Sequence, residues 1–189
     1  GKLAIQKGIP TIIDFFKKDV VEKIKKEHGK AKVITATNVF AHIENVNEAI
    51  KLILELLDKK GIFISESHYL LSLIETLQYD TIYHEHLRYY SLHSLKYLLE
   101  KHGFEIIHAK RIPTHGGSIR VYAARKGAYA IRETVAALLK KEKITVLDKS
   151  NLLEFKKKVV ISKLKLHSLL LDIKKQGKLI YGIGAPSRA

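Results

Sequence analysis

The chain has 189 residues, 46% of them apolar, which is enough for one full domain with its own core and part of a second. It contains no cysteine, which excludes disulfides and thiolate metal sites within this stretch and fits a cytoplasmic setting. Its net charge of +15 raises the question of a polyanionic partner, but no run of about 20 apolar residues offers a membrane span.

The first predicted element is a strand over GIPTIIDFF, a β-branched run that ends in Asp14 and two phenylalanines. An amphipathic helix, KDVVEKIKKEHGK, follows, with Gly29 as its stop, and AKVITATNVF reads as the next strand. Asn45 with Glu48 three residues on resembles a capping box. It opens a helix whose apolar face is Val46, Ala49, Ile50, Ile53 and Leu57. GIFISES is a third strand, after a Lys-Lys-Gly turn. Strand, helix, strand, helix, strand implies a parallel sheet with right-handed crossovers. Ligands bind beyond the carboxyl ends of such strands. Those ends carry Asp14-Phe15-Phe16, Asn38-Val39-Phe40-Ala41-His42 and Glu66-Ser67-His68-Tyr69.

HYLLSLIETLQ then predicts a helix leading into YDTIYHEHLRYY at 79–90. Ser91 caps a further helix that Gly103 ends, and FEIIHAKRI and SIRVYAARK form two strands joined by PTHGGS. From Gly127 the composition shifts to Lys-rich helices, about 128–144 and 150–176, before a final strand that runs into GIGAP. Leu152, Phe155, Val159, Leu166, Leu169 and Ile173 fall at a and d spacing, so the long helix calls for a packing partner. Gly1 at the start, the absence of methionine and the glycine turn at the end lead us to expect a segment of a longer protein.

The stretch at 79–90 holds the chemistry. In an extended segment His84 and His86 would share a face and two imidazoles could hold an ion, but no third ligand accompanies them and no metal site is expected. Acid–base work suits it better. Histidine takes a proton near neutral pH, and a phenol such as Tyr83 can donate to an oxygen that gains negative charge. A tyrosine-rich loop packed under the sheet accounts for the same residues equally well. The basic charge is spread over helix faces where lysine stems cover apolar flanks, and no nucleic-acid motif accompanies it. A polyanion-binding module without catalysis, and a nicotinamide-dependent Rossmann enzyme, stand as alternatives.

Taken together, TIIDFF, NVFAHI, ESHYLLSLIETLQYDTIYHEHLRYYSL, KHGFEII, RIPTHGGSIRVYAARKG and YGIGAPSRA resemble the sugar C-methyltransferases. These are class I S-adenosylmethionine-dependent enzymes that act on nucleotide-linked keto-deoxysugars. The resemblance implies an α/β fold: an incomplete class I methyltransferase (Rossmann-like) sheet over 1–126, lacking its first strand and glycine-rich loop. Over 127–189 it implies helices and the start of a second, nucleotide-binding-like α/β domain. It implies that a base removes the proton beside the sugar ketone and that the enolate carbon attacks the sulfonium methyl. His86 is the expected base and Tyr83 the alternative base or enolate stabiliser, with His84 and Glu85 orienting them. Asp14, Phe15, Asn38, Phe40 and His42 are expected at the cofactor, and His115, Ser118, Arg120, Gly182, Gly184 and Pro186 at the substrate. The family's zinc belongs to a cysteine-rich N-terminal module outside this sequence.

Overall fold

The computed structural model describes residues 1–183. Its centre is a four-stranded sheet in the order β1-β2-β4-β3, built from Ala31–Thr37 (β1), Leu57–His68 (β2), Phe104–Ile112 (β3) and Ser118–Arg125 (β4). β1 and β2 run parallel, whereas β4 is antiparallel to both β2 and β3. The helices are Lys2–Gln6 (α1), Lys18–His28 (α2), Val46–Leu56 (α3), Leu70–Thr76 (α4), Leu92–Glu100 (α5), Glu133–Thr145 (α6) and Lys149–Lys175 (α7).

One face of the sheet carries the core. Phe63, Phe104, Ile106, Ile119, Val121 and Ala123 meet Ile50 and Ile53 of α3, Leu92, Leu95 and Leu99 of α5, and Val135 of α6. Full burial of a large apolar side chain contributes about 1.5–3 kcal/mol relative to exposure, so this cluster is the main source of cohesion. The cap expected at Asn45 forms, its side chain accepting from the Glu48 amide, and the apolar face predicted for α3 is the buried one. Ser91 caps α5 in the same way, with Ser94 returning the bond. α6 is tied into the core by Glu142, which is fully buried. Its carboxylate accepts from the Leu92 and His93 amides at 2.5 and 3.0 Å, where the helix N-terminus favours negative charge.

Three sequence expectations are corrected. The run at 9–17 forms no strand and pairs with none of the four; Asp14 instead accepts from the Phe15 amide at 2.7 Å and bends the chain. The Lys-Lys-Gly turn lies inside β2, which begins at Leu57, at a shift in the β1–β2 register. Residues 177–183 form no strand either, and the GIGAP positions from Gly184 onward, Pro186 included, lie outside the described residues. α7, expected to dock, buries none of its side chains among the described residues, and Leu152, Leu166 and Leu169 stand exposed.

Candidate active site

Beyond the carboxyl ends of β1 and β2 a cavity of about 400 Å³ opens, lined by Asn38, His42, Ser67, His68, Gln78, Asp80, Thr81, Tyr83, His86 and His115, with Ala41 at its side. A second cavity, of about 750 Å³, is lined by Asp14, Phe15, Phe16, Lys17, Val39, Ile43, Glu44 and Asn45. Asn38 and His42 line both, so the two cavities meet at the end of β1. Asn38 leaves the strand at φ 54°, a left-handed conformation that asparagine tolerates better than most residues.

The 79–90 stretch folds as a short 3-10 turn over Tyr79–Thr81 and a tight turn in which the His86 amide donates to the Tyr83 carbonyl at 3.1 Å. Its residues divide by role. Tyr83 and His86 enter the cavity, while His84 and Glu85 are exposed on the turn. The segment is not extended, so the shared face that would suit an ion between His84 and His86 does not exist. Among the described residues no group of three His, Asp or Glu side chains is placed to hold a metal.

The remaining members hold the loop. The Tyr89 phenol accepts from the Tyr83 amide at 3.1 Å and reaches the Thr81 carbonyl at 3.3 Å. Tyr90, buried, donates to the Phe40 carbonyl at 3.2 Å, and burial pushes its phenol up to about 12. Arg88 donates to the carbonyls of Ile43 and Glu44, and the Leu87 amide donates to that of Ala41. The loop is thus stitched along 40–44, the segment that separates the two cavities.

The hydrogen bonds also fix which ring nitrogen carries the proton. His86 Nδ1 lies 3.1 Å from the Thr81 carbonyl, which can only accept, so in the neutral ring Nδ1 is the protonated nitrogen and Nε2 carries the lone pair. That Nε2 is 3.4 Å from the Tyr83 hydroxyl. His42 repeats the pattern, Nδ1 donating to the Glu85 carbonyl at 2.9 Å, with its ring centroid 5.0 Å from that of His86. The contacts at the two Nδ1 atoms are thus made by backbone carbonyls, of Thr81 for His86 and of Glu85 for His42.

Other expected residues are placed as follows. Asp14 and Phe15 line the second cavity, with Phe15 largely exposed; hydrogen bonding from the Phe15 amide, and then Lys17, hold the Asp14 carboxyl below its usual range. Phe40 is not at the cofactor cavity but in the core, packed on Phe63. His115 lines the first cavity. Ser118 is buried and donates to the Thr114 carbonyl, and Arg120 is engaged by Glu66 through bonds of 2.8 and 2.7 Å, so neither lines the cavity. Gly182 is exposed in the segment after α7.

The sequence reading placed His68 at a strand end without giving it a role, and missed Gln78, Gly116 and Gly117 as site-builders. A Cβ on Gly116 would meet the Gln78 amide at 2.5 Å, and one on Gly117 would meet Ser72 Cβ at 2.5 Å. Both glycines also have positive φ. The HGG turn therefore needs its glycines to press against α4, and that contact seats His115 at the cavity. The signal was present in the paired glycines after a histidine, which were read as a hairpin bend.

Comparison with known proteins gives this arrangement its context. Residues 4–109 match the model of a methyltransferase domain, and residues 113–189 match a C-methyltransferase C-terminal domain. The chain belongs to the methyltransferase domain family. It is 34% identical over 188 residues to the C-methyltransferase NovU of Streptomyces niveus, an alignment that takes in 98% of this chain and 45% of that protein. The chain thus spans less than half the length of that relative. Solved structures include an S-adenosylmethionine-dependent methyltransferase from Clostridium acetobutylicum (12% identity, 67% of this chain and 69% of that one, TM-score 0.47). Magnesium protoporphyrin IX methyltransferase from Synechocystis is also similar (18% identity, 55% and 48%, TM-score 0.41). At those scores the likenesses carry no weight here.

Proposed function

We propose that this chain forms the acceptor-activating part of an S-adenosylmethionine-dependent C-methyltransferase whose acceptor is a nucleotide-linked sugar with a ketone beside the methylated carbon. The observation that carries the reading is the state of His86. Its Nδ1 proton is committed to the Thr81 carbonyl, which leaves Nε2 as the basic nitrogen beside the Tyr83 hydroxyl, inside a cavity of ligand size.

The second cavity fits the donor in kind: an exposed aromatic ring at Phe15, apolar walls at Val39 and Ile43, and the Asn38 amide at the junction. When bound there, S-adenosylmethionine would supply an electrophilic methyl group. On the acceptor side, His86 Nε2 takes the proton from the carbon next to the ketone, and the C–H pair moves into the enolate. The Tyr83 phenol donates a hydrogen bond to the enolate oxygen, where charge develops. Asn38 and His42, shared by both cavities, set the direction from which the carbon meets the methyl group.

The test is methyl transfer to nucleotide-linked keto-sugars by the protein that carries this chain. His86→Ala should lower turnover about a hundredfold or more, and Tyr83→Phe by a smaller factor. Undiminished turnover in the His86 variant would remove it from the base role. A supporting signature is solvent deuterium entering the carbon beside the ketone without methyl donor, abolished by the same substitution.

A further inference from the structure

His68, the last residue of β2, lines the first cavity and has no part in the chemistry above. Its environment is set by Gln78. The Gln78 Nε2 lies 2.6 Å from the Gly116 carbonyl and 2.5 Å from the Thr76 hydroxyl oxygen. That hydroxyl donates to the Ser72 carbonyl, so it accepts from Gln78. A carbonyl can only accept, which fixes the amide: its nitrogen faces the HGG turn and its oxygen faces His68 Nε2 at 3.1 Å. His68 must then carry its proton on Nε2. This is the opposite tautomer to those of His42 and His86, although the His68 and His86 rings stack at 6.5 Å.

We propose that His68 is a substrate-binding residue whose Nδ1 accepts a hydrogen bond from a hydroxyl of the acceptor's sugar ring, and that Gln78 is the positioning residue which commits Nε2–H and leaves Nδ1 for that task. The inference rests on the nucleotide-sugar reading of the cavity and adds to it a seat for the sugar itself, separate from the proton-handling pair Tyr83 and His86. A sugar hydroxyl suits this nitrogen, since it can donate to His68 Nδ1.

The experiment compares two probes, UDP-glucose and UDP, by calorimetry on the chain. The unsubstituted chain should bind UDP-glucose about tenfold more tightly than UDP. His68→Phe should erase that preference, and His68→Asn, which keeps an acceptor near the Nδ1 position, should retain most of it. Gln78→Leu should behave like His68→Phe. Equal binding of the two probes by the unsubstituted chain, or a preference that survives His68→Phe, overturns the sugar seat and leaves nucleotide binding intact. Failure of both probes to bind counts against the nucleotide-linked acceptor itself and takes the seat down with it. Long-range 1H–15N spectra of the unliganded chain decide the positioning step independently: a proton on His68 Nε2 supports it, and one on Nδ1 overturns it.

Discussion

The walls of the two cavities are built in opposite ways. The 79–90 loop has little regular structure, yet each of its positions from Glu85 to Tyr90 touches the 40–44 segment or the loop's own backbone through a hydrogen bond. The 9–17 segment is richer in β-branched and aromatic residues, but Ile13 and Phe15 are exposed and its bonds are local. Apolar content did not decide which wall is fixed. Hydrogen-bond partners across the chain did.

If that contrast is right, damage should grade accordingly. The largest loss should come where the acceptor wall is anchored without slack: Gly117→Ala places a Cβ 2.5 Å from Ser72 at φ 124° and should cost about 2–4 kcal/mol in urea unfolding. Arg88→Ala removes charge-assisted bonds to the Ile43 and Glu44 carbonyls and should cost about 2–3 kcal/mol, with faster amide exchange at 84–88.

Tyr90 gives the same wall a pH signature. Its folded pKa, about 12, lies above its ordinary value of 10.0, so its contribution is complete below pH 10 and is lost as pH rises toward 12. That amounts to about 2–3 kcal/mol, and Tyr90→Phe should remove the dependence. The smallest effect belongs to the other wall. Phe15→Ala should change stability by less than about 0.5 kcal/mol, while weakening calorimetric binding of S-adenosylhomocysteine severalfold. A large stability loss in that variant would break the contrast.

The sequence made much of this legible. Helix caps at Asn45 and Ser91, the glycine stops at Gly29 and Gly103, and the β3–β4 pair follow from local chemistry, which acts over a few residues whatever the surroundings. The 9–17 and 177–183 strands failed for a shared reason: β propensity needs a neighbouring ladder, and periodicity carries no word of one. The stretch YDTIYHEHLRYY, evenly balanced in sequence between a packed tyrosine loop and an acid–base site, divides in the structure into residues that pack and residues that line a cavity. Tyr89, Tyr90 and Arg88 pack and tie, and Tyr83 and His86 face the cavity. Which carbonyl orients which imidazole depends on side-chain reach between 42 and 85, a distance in sequence that no local pattern spans.

The central claim is that His86 offers Nε2 as a base because the Thr81 carbonyl holds the proton on Nδ1. The most direct measurement is the tautomer of His86 in long-range 1H–15N spectra of the chain above the titration of its histidines, assigned with His86→Gln. A proton on Nδ1 and a bare Nε2 is the predicted result. A proton on Nε2 would contradict the account, since no lone pair would then face Tyr83 and the cavity.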